Sequence, residues 1–463
     1  MKILLETFAD WLGGTRVISG FELDEASPLD GRIYVDSREV KPGGVFVCIK
    51  GSKQDGHDFY LQAIQNGARG IITERLLPVS EPGVFQIHTD STTQALKRLA
   101  FHILQHIHPK TVGITGSAGK TTVRSMLESV FNSQYSSYGT IKNYNTPIGV
   151  PLSIASMPEK TAYFMCELSA SYPGEIGEIL SFLALDHAII TGIGPSHLAF
   201  LINEEGVFFE KIKIAEALLP SGNLWINGDQ KWAEEAKKKK IPLKTFGLNA
   251  NHDFYAHKIR WKEDGMSFNF SAFSDPSLSF VVQGWGLHLV QNAVVALALA
   301  FQENIASEKA FQGLYAFTPE TGRGRILRKN DSWTLWDESY NANPYSMRAS
   351  LDALSNVPFF RKIVVLGDML ELGEQALPCH QELGRQLSAY PQPLEAIIYV
   401  GEFGEIVKKE LSQRNERFIW TKNWRSALDA LLSLELTQRL IMVKASNGIG
   451  LHHLVNEMKQ QTL

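Results

Sequence analysis

Residues 113–122 read Gly-Ile-Thr-Gly-Ser-Ala-Gly-Lys-Thr-Thr, a glycine-bounded turn that ends in a lysine and two threonines. Glycines let main-chain N–H groups curl around phosphate oxygens, and a helix that starts there adds a favourable dipole. Two residues separate Gly116 from Gly119, where the common phosphate-loop pattern has four. An apolar run, KTVGITG, precedes the turn, and KTTVRSMLESVFNS follows with helical spacing. Strand, glycine turn and helix in that order make Gly116, Ser117, Ala118, Gly119, Lys120, Thr121 and Thr122 a candidate cradle for ATP. Lys120 would face the β- and γ-phosphates, and Thr121 would offer its hydroxyl to Mg²⁺.

In an open parallel sheet, ligands sit beyond the carboxyl ends of the strands. Two further apolar runs deliver polar groups there: AYFMCELSA carries Glu167, and AIITGIGPSHL carries His197 just past its end. A carboxylate and an imidazole beside phosphates are suitable metal ligands. Lys211 lies at the start of an amphipathic segment, and by pattern alone it is an exposed helix lysine. His288 and Asn292 stand four apart, on one helix face. The Asn292 amide could read adenine or simply be a polar helix position. Arg323 and Arg325, in TGRGR, could clamp phosphate or lie in solvent.

The elements that must position these groups alternate strand with helix. Residues 1–108 read as a small α/β unit, with strand-like runs RIYVDSR, GVFVCIK and GIITE and a helical FYLQAIQNGA. Residues 109–320 read as a parallel sheet with covering helices, among them 205–219 and 287–303. Residues 321–463 hold KIVVLG, AIIYVG and RLIMVKASNG, the strands of a smaller doubly wound, Rossmann-like domain. The expected fold is therefore α/β in three domains, the central one a P-loop-type ATPase sheet.

Composition narrows the class. The chain has 463 residues, is 44% hydrophobic and 20% charged, and carries a formal net charge of -4. That is an ordinary globular balance, with no basic footprint for nucleic acid. The basic run Lys237–Lys240 follows Glu234 and Glu235 and reads as a solvated helix end. Three scattered cysteines, Cys48, Cys166 and Cys379, lack metal or disulfide spacing and fit a reducing cytosol. The N-terminus does not read as a signal peptide, and the longest apolar run, 289–301, is too short to span a bilayer. A cytoplasmic protein without nucleic-acid or membrane partners is expected.

Taken together, these motifs resemble the Mur ligases of peptidoglycan synthesis over essentially the whole chain. VDSREVKPGGVFVCIKGSKQDGHDF (35–59) is similar to the domain that holds the UDP-sugar, and GITGSAGKTT to the family's short phosphate loop. NYNTPIGVPLS, CELSASYPGEIG and TGIGPSHL resemble its central domain. DESYNANPYSM (337–347), followed by VVLGDMLELGE (364–374), resembles the member that adds D-alanyl-D-alanine. The resemblance implies ATP and two Mg²⁺ ions, with Thr121 and Glu167 on one ion and His197 on the second. It makes Lys211 the lysine that is carbamylated in many members, where it supports the second metal. It places Asn292 on adenine, and Arg323 and Glu338 toward the nucleotide. Ser37, Arg38, Asn145 and Thr146 would bind the UDP-N-acetylmuramoyl tripeptide. Tyr340, Asn341 and Asn343 would meet the dipeptide and the acyl end. A monomer is expected. The chain departs from the family's habit at Leu289, Glu338 and Asn447, where Asn, Asp and Arg are frequent. The alternatives are a sister ligase, a nucleotide switch or an inactive scaffold. Sister ligases for the third residue usually carry Asp-Asn-Pro-Arg where this chain has Asn341-Ala342-Asn343-Pro344.

Overall fold

Short apolar runs alternating with amphipathic stretches fold into an α/β architecture built on three sheets, of five, nine and six strands. The computed structural model describes residues 3–18, 32–263, 265–272, 278–329, 332–359, 361–411 and 417–460. The chain divides into two compact units. One comprises Met1–Gly113, Tyr135–Ser169 and Glu175–Asp186, the other Ile114–Gln134, Ala170–Gly174 and His187–Leu463.

The first unit contains the five-stranded sheet, in the order Thr15–Ile18, Phe85–His88, Gly70–Thr73, Val45–Val47, Ile33–Tyr34. Its strands are parallel except for Thr15–Ile18, which is antiparallel at one edge. Burial of Val45, Phe46, Val47, Ile71 and Ile72 explains the continuous apolar runs read in the sequence, because both sheet faces are covered. The expected helix FYLQAIQNGA is shorter, a 3₁₀ turn at Gly56–Phe59 followed by Tyr60–Gln65. The same unit holds the parallel pair Ser137–Gly139 and Tyr163–Glu167, whose second strand is buried throughout.

In the second unit, the helix Lys120–Phe131 follows the glycine turn. Strands then run in the order Leu185–Ile190, Leu218–Asn227, Leu243–Gly247, Phe254–Lys262, Gly265–Ala272, Leu278–Gln283. The last three are antiparallel, an extension beyond the expected parallel sheet. Phe254–Lys262 alternates half-buried and exposed positions from His257 onward, the pattern of a strand with one wet face. The helix expected over 205–219 is corrected by the structure. An α-helix covers Glu204–Lys211, a 3₁₀ turn Ile212–Ala217, and a strand begins at Leu218. Pro220 cannot supply the N–H that a continuing helix would need. Lys211 therefore ends its helix and is only 1% exposed, which removes the reading as a surface lysine. The Lys237–Lys240 run does close a short helix, Trp232–Lys237, with Lys237 and Lys238 paired to Glu234 and Glu235.

The six-stranded sheet runs Arg325–Lys329, Trp333–Glu338, Arg439–Lys444, Lys362–Gly367, Ala396–Val400, Arg417–Thr421. Only the first pair is antiparallel. Apolar clusters cover both faces, one around Trp336, Val364 and Leu383, the other around Leu335, Val365 and Leu454. The register sets Glu338 directly opposite Lys444, and the Lys444 ammonium donates to Glu338 Oε2 at 3.0 Å. Both side chains are buried, Lys444 at 2% and Glu338 at 9% exposure. Burial pushes the Glu338 carboxyl up, yet Lys444, with His288 and Ser350, outweighs it and holds the group below the usual carboxylate range. Its contribution is full above the unfolded carboxyl pKa of about 4.3 and disappears as pH falls through the lower folded value.

Lys444→Met should leave a buried carboxylate without its cation and destabilise the fold by about 3–5 kcal/mol. In urea unfolding at neutral pH, the double variant Lys444→Met/Glu338→Met should recover most of that loss. A single variant within about 0.5 kcal/mol of the parent would show that the pair is not a structural element.

Candidate active site

The turn between Thr115 and Lys120 depends on two glycines with positive φ, Gly116 at 151° and Gly119 at 85°. A methyl group at Gly116 would overlap Thr191 Oγ1, and one at Gly119 would lie 3.0 Å from the Asn292 amide. Each carbonyl from Gly116 to Ala118 has a partner. Lys120 Nζ donates to Gly116 O at 2.8 Å, Asn343 Nδ2 to Ser117 O at 3.0 Å, and Thr191 Oγ1 to Ala118 O at 2.5 Å. In a planar trans peptide, the C=O of one residue and the N–H of the next point in opposite directions. Fixing the Ser117 and Ala118 carbonyls therefore aims the Ala118 and Gly119 N–H groups to the other side, as a phosphate cradle requires, while the first peptide turns Ser117 N–H onto Gly192 O.

The loop rests on the segment after the strand Leu185–Ile190. Ser117 N donates to Gly192 O at 2.8 Å, and Ser117 Oγ donates to Gly194 O at 2.8 Å while accepting from Gly194 N and Ser196 Oγ. Gly192 and Gly194 leave room for the Tyr345 ring, which a Cβ at either would strike. The Tyr345 hydroxyl accepts from Gln230 Nε2 at 3.3 Å. Thr121 is 2% exposed, at the second residue of its helix, and Thr122 follows on the same first turn.

His197 caps the short helix Leu198–Leu201 with φ 51°, and its Nδ1 lies 2.8 Å from Glu371 Oε2. The histidine holds the Glu371 carboxyl below its usual range. With Nδ1 engaged, Nε2 is the ring nitrogen that would face a metal. In the other unit, Glu167 closes its strand at 3% exposure. Its Oε1 accepts from Asn145 Nδ2 at 3.2 Å, and its backbone N–H donates to Thr140 Oγ1. Thr146 Oγ1 accepts from Gly149 N at 3.1 Å. Ser37 donates to Gln62 at 2.6 Å and is buried, whereas Arg38 is exposed and forms a bidentate pair with Asp36. Among the described residues, no group of three or more His, Cys, Asp or Glu side chains converges to cage a metal. The donors fit Mg²⁺, which takes one or two carboxylates together with substrate phosphates.

Around the helix Leu287–Gln302, Asn292 faces Gly119, while Leu287, His288 and Gln291 line a cavity of about 390 Å³ with Trp261, Tyr345 and Arg348. Burial pushes the His288 imidazole below its usual value, so it is neutral at pH 7. Arg323 lies flat over the Tyr340 ring, its guanidinium carbon 3.8 Å from the centroid. Asn341 O accepts from Lys444, and Asn343 caps the helix Pro344–Asn356. The loop, Asn292 and Asn343 thus come together; Arg323 with Tyr340, and His197 with Glu371, form separate pairs. Sequence reasoning missed Thr191, Ser196, Gln230, Tyr345, Glu371 and Lys444. Only the glycines of TGIG and the aromatic after Asn343-Pro344 gave any signal for them.

Three family profiles match the chain: "Mur ligase family, catalytic domain" over 32–102, "Mur ligase middle domain" over 114–300, and "Mur ligase, glutamate ligase domain" over 322–447. The UDP-N-acetylmuramoyl-tripeptide–D-alanyl-D-alanine ligase of Bacillus subtilis is 31% identical over 93% of either chain. A crystal structure of MurF from Acinetobacter baumannii superposes with a TM-score of 0.88 at 26% identity, covering 99% of each chain. The MurF ligase of Thermotoga maritima in complex with ADP matches with a TM-score of 0.81 at 25% identity, over 93% of this chain and 97% of that one. The short phosphate loop and a likeness that runs nearly from end to end lead to the same statement: the chain belongs to the Mur ligase family.

Proposed function

We propose that the chain is a cytoplasmic, monomeric ATP-dependent ligase that joins D-alanyl-D-alanine to a UDP-N-acetylmuramoyl tripeptide in peptidoglycan precursor synthesis. One observation carries this reading: a glycine loop with three anchored carbonyls, in a chain similar over 93% of its length to a ligase of that name. The proposed division of labour assigns UDP-sugar binding to 1–108, ATP to 109–320 and the incoming amine to 321–463.

A carboxylate is a poor acyl donor because oxide would have to leave. ATP enters as a substrate, and transfer of its γ-phosphoryl to the tripeptide carboxylate makes an acyl phosphate whose leaving group is phosphate. The dipeptide amine then attacks the carbonyl, and the tetrahedral adduct expels phosphate. Lys120 and the loop amides offset negative charge during the first step, which is chiefly positioning and electrostatics. Two Mg²⁺ ions, when bound, would neutralise phosphate charge. In this reading Thr121 and Glu167 hold one ion, and His197 Nε2 with a carbamylated Lys211 the other. The adenosine would lie along the Asn292 helix toward the 390 Å³ cavity. Arg323 and Glu338 would face the nucleotide from the third domain, and Tyr340 and Asn341 would meet the dipeptide. Ser37, Arg38, Asn145 and Thr146 would hold the UDP-tripeptide. Among the described residues, no helix is long and apolar enough to cross a membrane.

Purified protein with ATP, Mg²⁺ and the UDP-tripeptide should release ADP only when D-alanyl-D-alanine is added. Equal turnover with a single amino acid such as lysine would instead assign a sister activity. Lys120→Ala should abolish turnover while UDP-sugar affinity, measured by calorimetry, stays within about twofold. A collapse of that affinity would contradict the assignment of the UDP-sugar to residues 1–108.

A further inference from the structure

Asn343 sits at the N-cap of the helix Pro344–Asn356, in a reciprocal capping box with Ser346. Its Oδ1 accepts from Ser346 N at 2.8 Å, and Ser346 Oγ accepts from Asn343 N at 3.1 Å. The cap leaves no ambiguity about the amide: the oxygen must face the helix N–H, so Nδ2 is the end that reaches Ser117 O. Among the described residues, Asn343 is the one that holds this loop carbonyl, with Lys120 and Thr191 on the carbonyls to either side. The Tyr345 ring, two residues on, packs against Gly192 and Gly194 and keeps the helix start at this place.

We infer that Asn343 is a positioning residue for the phosphate loop: its side-chain amide locks the Ser117–Ala118 peptide and aims the Ala118 N–H into the cradle. The inference rests on the ATP-site reading above but departs from the expectation that Asn343 meets the dipeptide. Residues 321–463 thereby complete the cradle that the central sheet begins, so nucleotide binding and docking of the helix Pro344–Asn356 support one another. By reciprocity, whatever strengthens one contact strengthens the other by the same factor.

Asn343→Asp and Asn343→Ser separate the two duties of the side chain. Both residues cap helices well, so thermal unfolding should stay near the parent. Neither reproduces the donation to Ser117 O: Asp has no N–H, and Ser is too short. In the full chain with Mg²⁺ and no other substrate, both should weaken binding of a non-hydrolysable ATP analogue about tenfold, the worth of one hydrogen bond to a strained loop. The KM for D-alanyl-D-alanine should remain within about twofold. Unchanged nucleotide affinity, or a KM rise confined to the dipeptide, would overturn the inference. So would weakening in Asn343→Asp alone, which would mean simple charge repulsion. A parent protein that binds the analogue but does not use the dipeptide would fail the ligase assignment and leave this comparison standing.

Discussion

The nucleotide site depends on the orientation of three consecutive peptide planes, the first tying Ser117 N–H to Gly192 O and the next two turning the Ala118 and Gly119 N–H groups the other way. A phosphate cradle made of main-chain N–H groups works only if the intervening carbonyls are turned away and held. Here a lysine from the loop's own helix, a threonine just past the strand Leu185–Ile190 and an asparagine from the third domain each hold one. The loop is two residues shorter than the common pattern, so its amides cannot average over many conformations. The glycines at 116 and 119 adopt backbone angles that other residues rarely reach, and neighbouring side chains fill the space a Cβ would need. Shortness and anchoring are therefore one constraint, not two.

That constraint explains what was legible in the sequence. The loop itself stood out because local chemistry fixes it: an apolar strand, glycines, then Lys120 on a helix. The buried strands Lys362–Gly367, Ala396–Val400 and Arg439–Lys444 were legible for a similar reason, since burial on both faces writes an unbroken apolar run. Thr191, Tyr345 and Glu371 were not legible, because their work is defined by partners 73, 115 and 174 residues away: Thr191 with Ala118, Tyr345 with Gln230, Glu371 with His197. The antiparallel strands from Phe254 to Gln283 were not legible because alternation with one wet face is a weaker signal than a solid apolar run. The helix overrun past Lys211 had a local warning in Pro220 that the amphipathic pattern masked.

Burying charge is costly unless the surroundings satisfy it, and the second unit does so repeatedly. Lys444 and Glu338 face each other across one register position, and the lysine also bonds Asn341 O. An apolar pair of equal volume could serve stability as well. The ionic pair does something an apolar one cannot: it pins the main chain at Asn341, two residues before the cap that reaches the loop. Asp337 does comparable work, accepting from Gly322 N and from Ser339 while fully buried. These carboxylates hold the chain between the six-stranded sheet and the helix Pro344–Asn356 in one conformation.

The His197–Glu371 pair shows the same logic from the other end of the site. The imidazole comes from the segment after the strand Leu185–Ile190, the carboxylate from the turn after the strand Lys362–Gly367, and both residues have positive φ. A carboxylate on Nδ1 fixes which ring nitrogen is left to act, so the residue that orients His197 belongs to a different sheet from His197 itself. Asn343 on the phosphate loop and Glu371 on the histidine are two points at which residues beyond 321 determine the geometry of groups before them. A ligase that makes a water-sensitive acyl phosphate gains from such an arrangement. Groups beside the phosphate loop and the histidine are oriented by residues beyond 321. If that part of the chain brings the amine, as proposed, one docking event would orient the phosphate groups and keep water from the activated carboxylate.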